Sequence, residues 1–145
     1  MMRICFVCLG NICRSPMAEF IMKDKVNKLG ISDKFIIESR ATSYEESGND
    51  MHSGTKEMLR LNNISFGKHY ARRAEHSDID KFDLFVCMDS SNISNLKRII
   101  GDSSYIIKLL DRDVADPWYT GNFKVTYSDI VEGIDKLINR MNSKI

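Results

Sequence analysis

The sequence has few of the residues that divide a chain into domains or cross-link it. Of its 145 residues, two are proline and four are cysteine, and no stretch is rich in glycine and serine. Linkers between domains are commonly rich in glycine, serine or proline, and small secreted domains are commonly rich in cysteine. We therefore predict a single domain, residues 1–145, that needs no disulfide framework.

Neither a surplus of charge nor a long apolar run is present. Lysine and arginine number 21 against 20 acidic residues, so nothing in the net charge of +1 favours nucleic acid or a lipid surface. No stretch approaches the roughly 20 apolar residues that span a bilayer. The apolar residues 4–10 are not followed by a signal-peptide cleavage site. We expect a cytoplasmic protein that binds neither nucleic acid nor membrane. The sequence does not fix the oligomeric state, and a monomer is the expectation.

Short apolar runs rich in strand-forming residues alternate with longer stretches of helical or irregular character. The runs predict strands over residues 3–8, 35–38, 84–88 and 105–109. Strands that alternate with amphipathic helices predict an α/β fold: a doubly wound, four-stranded parallel sheet flanked by helices in a Rossmann-like, three-layer arrangement. Such a sheet binds its ligands at the carboxyl ends of its strands.

Three helices are predicted from apolar periodicity and from the residues at their ends. Ser15, followed by Pro16, is predicted to cap a helix that Gly30 ends. Either Ser90 or Ser91 is predicted to cap a second helix, which Gly101 ends. Residues 127–141 carry apolar side chains on one face and charged ones on the other, which predicts a third helix packed on the sheet.

The strongest signal lies between the first strand and the first helix, in Cys8-Leu9-Gly10-Asn11-Ile12-Cys13-Arg14-Ser15-Pro16. Backbone N–H groups in such a connection can point inward and bind a tetrahedral oxyanion at the positive end of the helix. Gly10 is predicted to permit the unusual backbone torsions. Arg14 supplies a planar fork that matches phosphate oxygens, which places Cys8 beneath the phosphorus.

These groups predict nucleophilic chemistry on a phosphate monoester. The inward N–H groups, Arg14 and the Ser15 hydroxyl favour the thiolate of Cys8, whose attack forms a phosphocysteine. The leaving oxygen then needs a proton from a carboxylic acid, for which Asp113 and Asp116 compete. Asp116 is favoured because Pro117 fixes the backbone after it. The aromatic residues that follow, Trp118 and Tyr119, are predicted to wall the entrance.

No metal or organic cofactor is implied, because the thiolate, the loop amides and the arginine supply the electrostatics. Cys5 and Cys8 form a Cys-x-x-Cys pair, but residues three apart in a strand point to opposite faces, and no second pair completes a zinc site. We predict that Cys5 and Cys87 are core residues.

With these motifs the sequence resembles the low-molecular-weight protein tyrosine phosphatases over essentially its whole length. The matching segments are residues 7–16, 41–43, 82–83, 88–89 and 116–119. The resemblance implies a phosphotyrosine phosphatase I-like fold and hydrolysis of phosphotyrosine through a phosphocysteine. It implies that Cys8 is the nucleophile, that Arg14 binds phosphate and stabilises the transition state, and that Asp116 is the general acid.

The resemblance also implies supporting roles around the loop. Ser15 steadies the Cys8 thiolate, and Asn11, Ser43 and His69 brace the loop. The phosphate-binding set comprises Leu9, Gly10, Asn11, Ile12, Cys13 and Ser15 with Arg14. The resemblance further suggests that Cys13 can trap an oxidised Cys8 as a reversible disulfide. The implied partners are phosphotyrosine-containing proteins, with inorganic phosphate or vanadate as inhibitors.

The expected substrate rim comprises Tyr44, Glu45, Trp118 and Tyr119. Many relatives carry an aromatic residue three positions before the glycine that corresponds to Gly48, whereas this chain has Glu45 there. Together with Glu46 and Asp50, Glu45 makes one side of the rim acidic, which predicts a preference for basic residues beside the phosphotyrosine.

Three other functions stay open on the sequence. Thioredoxin-coupled arsenate reductases resemble this fold and loop, but their disulfide relay needs further thiols in a mobile segment, and here only Cys87 remains. Protein arginine phosphatases share the loop but carry threonine where this chain has Ile12. A phosphate-binding module without activity is disfavoured, because a nucleophile, an arginine and a candidate acid are all present.

Overall fold

The architecture is a parallel sheet of four strands, described here from a computed structural model that covers residues 1–103 and 105–142. The strands are β1 (Met2–Cys8), β2 (Phe35–Ala41), β3 (Leu84–Cys87) and β4 (Ile106–Lys108). They lie in the order β2-β1-β3-β4, and every neighbouring pair is parallel. The predicted α/β class and the four-stranded parallel sheet are confirmed.

Strand β2 extends beyond its predicted end at Glu38, as far as Ala41. Residues 39–41 are not an apolar run, so the pattern did not predict them as strand. They pair with residues 6–8 of the central strand β1, and this pairing keeps them extended. Because of it, the end of β2 lies directly beside the end of β1, where Cys8 is located.

Five helices connect or follow the strands. They are α1 (Arg14–Lys28), α2 (Ser53–Leu61), α3 (Ser90–Ile100), α4 (Pro117–Thr120) and α5 (Phe123–Asn142), with 3-10 turns at Ser32–Lys34 and His76–Asp80. Helices α2 and α4 are not predicted from the sequence pattern, and α5 begins four residues before its predicted start. Gly30 and Gly101, with φ of 73° and 92°, follow α1 and α3 as predicted.

The predicted cap of α1 is wrong. Cys13 occupies the N-cap position without a side-chain cap bond, and Ser15 lies within the first turn. The Ser15 hydroxyl lies instead 3.0 Å from the sulfur of Cys8. A hydroxyl engaged on the inner side of the loop is not available to cap the helix that follows it.

The predicted cap of α3 is also wrong, since neither Ser90 nor Ser91 occupies that position. Asp89 does, and its carboxylate accepts the N–H of Asn92 at 2.7 Å. A carboxylate satisfies the free N–H groups of a helix start and interacts favourably with the positive end of the helix dipole.

Both faces of the sheet are covered, as a doubly wound fold requires. Alternation along β1 sends Ile4, Phe6 and Cys8 into the core beneath α1 and α5, and Cys5 and Val7 into a second core beneath α3. Each fully buried large apolar side chain contributes about 1.5–3 kcal/mol to the free energy of unfolding. The two cores therefore hold the end of β1 rigidly from both sides.

The assignment of residues 1–145 to a single domain remains a prediction, in which residues 104 and 143–145 lie outside the described residues. Of the helices in the described part of the chain, none is long and apolar enough to cross a membrane.

Candidate active site

The connection from β1 to α1 forms a closed loop around the sulfur of Cys8. The N–H groups of Asn11 and Ser15 donate to this sulfur at 3.3 and 3.4 Å, and the Ser15 hydroxyl lies 3.0 Å away. No hydrogen bond among the described residues uses the N–H of Gly10, Ile12 or Cys13. Unused amide donors at a helix start are the components of an anion-binding nest, as the sequence predicts.

The unusual backbone torsion of the loop belongs to Asn11, with φ of 60°, and not to Gly10. The prediction for Gly10 is therefore wrong. Asparagine tolerates the left-handed region because its short side chain can hydrogen-bond locally. Gly10 lines the cavity above the loop, where an added Cβ would lie 3.4 Å from the side chain of Glu46.

The amide side chain of Asn11 is completely buried, and each of its hydrogen-bonding atoms has a partner. Its oxygen accepts the backbone N–H of Arg72 at 3.0 Å. Its nitrogen therefore faces the other way and donates to the hydroxyls of Ser15 and Ser39, at 2.8 and 2.9 Å. The amide orientation is fixed because the Arg72 N–H can only donate.

The orientation of Asn11 sets the direction of the neighbouring hydroxyl protons. Ser15 Oγ accepts from Asn11, so its own proton is available for the Cys8 sulfur. Ser39 Oγ also accepts from Asn11 and donates to Glu19 Oε1 at 2.6 Å. The sulfur of Cys8 is thus surrounded by three donors, an arrangement that stabilises a thiolate.

The residues predicted to brace the loop are only partly the ones that do so. His69 Nε2 donates to the Asn11 carbonyl oxygen at 2.7 Å, since a carbonyl can only accept. Ser43 contacts the loop through its backbone, whose N–H donates to Leu9 O at 3.1 Å, while its hydroxyl accepts the N–H of Glu45. Outside the loop, the serine hydroxyl that accepts from Asn11 is that of Ser39, not that of Ser43.

Ser39, Glu19 and the backbone of Arg72 make hydrogen bonds behind the loop that the sequence pattern does not predict. The sequence does carry one weak signal, because Glu19 follows Ser15 by four positions and so lies on the same face of α1. Nothing in the local pattern predicts that Ser39, on another strand, joins them. Its position depends on the extension of β2 past its apolar run.

Arg14 is buried beside the loop, with 2% of its surface exposed. Its Nη1 donates to Asp89 Oδ2 at 2.7 Å and to Val114 O at 2.8 Å, and its Nη2 lies 3.4 Å from Asp116 Oδ2. Burial alone lowers the pKa of Arg14, but the charges of Cys8, Asp89 and Asp116 together raise it above its ordinary value. A permanent cation therefore lies next to the sulfur.

Of the two candidate acids, only Asp116 lines the cavity that contains Cys8. It also caps α4, accepting the N–H of Trp118 at 3.0 Å. Asp113 instead binds Lys108 Nζ at 2.9 Å and the N–H of Ser90. The hydrogen bond from Lys108 lowers the pKa of Asp113, which keeps that carboxyl ionised. The geometry favours Asp116, as the sequence does.

The cavity above the loop opens between two exposed segments. It is lined by Cys8, Leu9, Gly10, Ile12, Cys13, Arg14, Glu45, Glu46, Asp116, Trp118 and Tyr119. Trp118 and Tyr119 are 57% and 77% exposed, so they form an edge that a ligand can contact.

Two predicted members of the acidic and aromatic rim lie elsewhere. Tyr44 is outside the cavity lining, with its ring 4.4 Å from the guanidinium of Arg73 and its hydroxyl bonded to Arg73 Nη1, because a cation–π contact holds it there. Asp50 is paired with Lys56, whose hydrogen bond lowers the pKa of that carboxyl. The acidic side of the cavity consists of Glu45 and Glu46.

The remaining cysteines have environments unlike that of Cys8. Cys5 and Cys87 are fully buried on the α3 side of the sheet and unpaired, which confirms their prediction as core residues. Burial raises the pKa of Cys13 and of Cys87 to about 12, and that of Cys5 well above its ordinary value. The trapping role suggested for Cys13 remains a prediction.

The described ranges, 1–103 and 105–142, contain no group of three or more histidine, cysteine or acidic side chains arranged to hold a metal ion. The charges that face the cavity are those of Arg14, Asp116 and the two glutamates of the rim, together with the loop amides.

Comparison with known proteins places this geometry in a family. The model of the family described as low molecular weight phosphotyrosine protein phosphatase matches residues 3–145. The low molecular weight protein-tyrosine-phosphatase YfkJ of Bacillus subtilis is 42% identical, over 95% of this chain and 94% of its own. PtpA of Staphylococcus aureus, which carries the same description, is 39% identical over 96% of this chain and 93% of its own.

Solved structures agree with the sequence relatives. The crystal structure of YfkJ superposes with a TM-score of 0.96 and 40% identity, covering 99% of this chain and 96% of that one. A Drosophila arginine phosphatase superposes with a TM-score of 0.87 and 25% identity, covering 97% and 98%. The chain therefore belongs to the low-molecular-weight phosphotyrosine protein phosphatase family, and the resemblance found in its sequence is confirmed.

Proposed function

We propose that this protein hydrolyses phosphotyrosine in proteins through a phosphocysteine intermediate, with Cys8 as nucleophile, Arg14 as phosphate ligand and Asp116 as general acid. One observation carries the proposal: a sulfur that accepts from three donors lies in the same cavity as a buried guanidinium and an aspartate. Family membership supports the substrate class.

In the first step the phosphate group of the substrate lies in the loop, against the free N–H groups and Arg14. The Cys8 thiolate attacks phosphorus, and an S–P bond forms as the P–O bond to the tyrosine ring breaks. Asp116 gives its proton to the leaving phenolate, which departs as tyrosine. Arg14 and the amides stabilise the equatorial oxygens, on which negative charge is concentrated in the transition state.

In the second step the same carboxyl acts as a base. Asp116, now ionised, takes a proton from a water molecule whose oxygen attacks the phosphorus of the phosphocysteine. The S–P bond breaks, inorganic phosphate leaves, and the Cys8 thiolate is restored. Ser15 stabilises this leaving thiolate, because its proton is directed at the sulfur by Asn11. No metal is needed in either step.

The cavity walls favour a flat aromatic ester. Ile12, Trp118 and Tyr119 are among the residues that line the cavity, and they supply apolar surface for a phenyl ring. Arginine phosphatase activity is the second candidate, because one structural relative is described by it. Arsenate reduction lacks support, since Cys87 is buried in β3 and cannot relay a disulfide to the surface.

The proposal is tested by rapid mixing of the reduced protein with p-nitrophenyl phosphate, followed by steady-state turnover of matched phosphotyrosine and phosphoarginine peptides. We expect a burst of nitrophenol close to one equivalent and a higher kcat/KM for phosphotyrosine. Chelators should leave the rate unchanged, whereas vanadate should inhibit. A higher kcat/KM for phosphoarginine would transfer the assignment to the second candidate, and absence of any turnover would reject both.

Further expectations accompany the proposed function. We propose that the protein acts as a cytoplasmic monomer on phosphotyrosine-containing proteins, with inorganic phosphate as an inhibitor. A monomer is checked by sedimentation at concentrations that bracket those of the kinetic assays.

A further inference from the structure

His52 lies where three parts of the candidate site meet. Its backbone N–H donates to Ile12 O in the phosphate loop at 2.8 Å. Its side chain caps α2, with Nδ1 accepting the N–H of Gly54 at 2.9 Å. Because Nδ1 is used as an acceptor, the cap bond fixes the orientation of the imidazole ring about its own axis.

The ring of His52 lies between two aromatic residues of the following segment. It stacks on Phe123 with centroids 4.9 Å apart and an interplanar angle of 27°. It meets Trp118 edge to face, at 5.8 Å and 87°. Stacked and edge-to-face arrangements are the favourable geometries of aromatic pairs, so both contacts hold the ring.

Phe123 is itself held firmly, which makes the stack a rigid platform. A Cβ at Gly54 would lie 2.6 Å from the Phe123 ring, so the ring packs directly against the backbone of α2. The absence of a side chain at Gly54 leaves room for the Phe123 ring, and the Phe123 ring supports His52. His52 in turn contacts the rim residue Trp118.

Trp118 depends on this platform for its position. It belongs to α4, which has only four residues, and a single turn does not maintain itself in water. The backbone N–H of Trp118 donates to the Asp116 carboxylate, but the residue as a whole is 57% exposed. Among the described residues, its ring has one aromatic contact, which is with His52.

We propose that His52 is a positioning residue for substrate recognition: its ring holds Trp118 at the angle at which the indole flanks the aromatic ring of the substrate. The inference rests on the proposed function and extends it to a residue outside the cavity. His52 does not touch the phosphate, so its effect falls on recognition of the ring and of neighbouring peptide, and not on the loop.

Two substitutions distinguish the contribution of the His52 ring from that of its cap bond to α2. His52→Asn keeps a good N-cap and removes the ring, whereas His52→Phe keeps a ring and removes the cap. Both retain the backbone bond to Ile12. His76→Asn, in the exposed 3-10 turn away from the cavity, is the matched control for the exchange of histidine by asparagine.

The first measurement is steady-state kinetics with a phosphotyrosine peptide. His52→Asn should raise KM about 3- to 10-fold with little change in kcat, as loss of one aromatic contact predicts. The inhibition constant of inorganic phosphate should stay within twofold of the wild type, because the loop is intact. His52→Phe should restore KM while melting several degrees lower, since its cap is lost.

The second measurement uses the fact that Trp118 is the one tryptophan of the chain. Its fluorescence, recorded without substrate, reports the rim alone. His52→Asn should shift the emission to longer wavelength and raise the acrylamide quenching constant, while His52→Phe should keep quenching near that of wild type and His76→Asn should change neither.

The proposal is overturned if His52→Asn leaves either the quenching of Trp118 or KM unchanged, or if it raises KM equally in a Trp118→Ala background, where the ring has nothing to position. Failure of the wild type to hydrolyse phosphotyrosine would reject the proposed function instead. The quenching comparison needs no turnover, so the two failures are distinguishable.

Discussion

The phosphate loop and the rim above it are built in different ways. In the loop, Asn11, Arg14 and Ser15 are 0%, 2% and 0% exposed, and the side chains of Asn11 and Arg14 bond to distant parts of the chain. In the rim, Trp118 and Tyr119 are more than half exposed, and Glu45 is open to solvent. The loop is therefore fixed by buried hydrogen bonds, whereas the rim consists of side chains that face solvent.

This structural difference predicts that substitutions in the loop change the rate of the reaction, whereas substitutions in the rim change which substrates are accepted. A change in the loop leaves a buried donor or acceptor without its partner, which costs about 1–3 kcal/mol and distorts the nest. A change in the rim alters what the cavity admits without disturbing the core.

The largest effect is expected for Cys8→Ser. Without the thiolate no phosphocysteine forms, so turnover should fall by at least about 10⁴-fold while inorganic phosphate still binds to the loop. Cys87→Ser makes the same exchange of atoms in the core and should retain most of the kcat of the folded protein. The measurement is kcat on p-nitrophenyl phosphate together with calorimetric phosphate binding. A Cys8→Ser protein with substantial turnover would contradict the assignment.

Selective alkylation is the next expectation. Because the pKa of Cys13 and of Cys87 is raised to about 12, roughly one molecule in 10⁵ carries either thiolate at pH 7. Raising the pH increases the thiolate fraction, so these thiols should react only in strongly alkaline solution. Iodoacetamide at pH 7 should therefore give one adduct, at Cys8, and loss of activity in step with it. Peptide mass mapping checks the position, and prior addition of phosphate should slow the reaction.

Removal of the proposed acid should have a smaller effect that depends on the leaving group. Asp116→Asn keeps an acceptor for the cap of α4, so α4 should persist. We expect kcat/KM, which reports formation of the phosphocysteine, to fall about 10²- to 10³-fold on phosphotyrosine and clearly less on p-nitrophenyl phosphate, whose leaving group needs no proton. Asp113→Asn is the matched control, with at most a few-fold change. Equal losses on both substrates would reject the acid role.

The hydrogen bonds that join Asn11, Ser39 and Glu19 behind the loop predict different effects for substitutions of Ser39 and Ser43. Ser39→Ala removes the hydroxyl between Asn11 and Glu19 and should lower kcat about 10-fold, with about 1–3 kcal/mol lost from the free energy of unfolding. Ser43→Ala removes only an exposed bond to Glu45 and should change both quantities little. Urea unfolding and steady-state kinetics provide the two values. The reverse ranking would show that the serine suggested by the sequence is the important one.

The smallest expected effect belongs to the rim. Glu45→Lys reverses one charge at the mouth and should shift the ratio of kcat/KM for basic-flanked over acidic-flanked phosphopeptides downward by about 2- to 5-fold. Glu57→Lys, exposed on α2, supplies the same change of net charge away from the cavity. The shift should shrink as salt is added, because exposed charges are screened. An unchanged ratio at low salt would remove Glu45 from the determinants of preference.

The sequence predicted the parts of the site that depend on local order. The strands, the loop from Cys8 to Arg14 and the Asp116-Pro117 segment follow from short apolar runs, helix starts and motif spacing. The torsion of Asn11, the cap by Asp89 and the position of Tyr44 against Arg73 did not follow. In each of these cases, a contact that the side chain makes with another residue decides among local conformations of similar energy.

Distant partners account for what was missed. Ser39 lies 28 positions from Asn11, and Arg72 lies 61 positions from it. Both meet Asn11 because of how β2 and the segment after α2 pack around β1. A periodic pattern contains no information on such pairings, whereas burial of the Asn11 amide requires that they exist.

The arrangement of these partners also governs when the protein becomes reactive during folding. Cys8 and Arg14 precede all the groups that orient them, and the last of these, Val114 and Asp116, come about 100 positions later. Contacts of such long sequence separation form late, because the intervening chain must first be ordered. Until then Arg14 lacks the partners that orient its guanidinium. Recovery of activity during refolding should thus lag behind recovery of helix, and we expect an incompletely folded copy to be inactive.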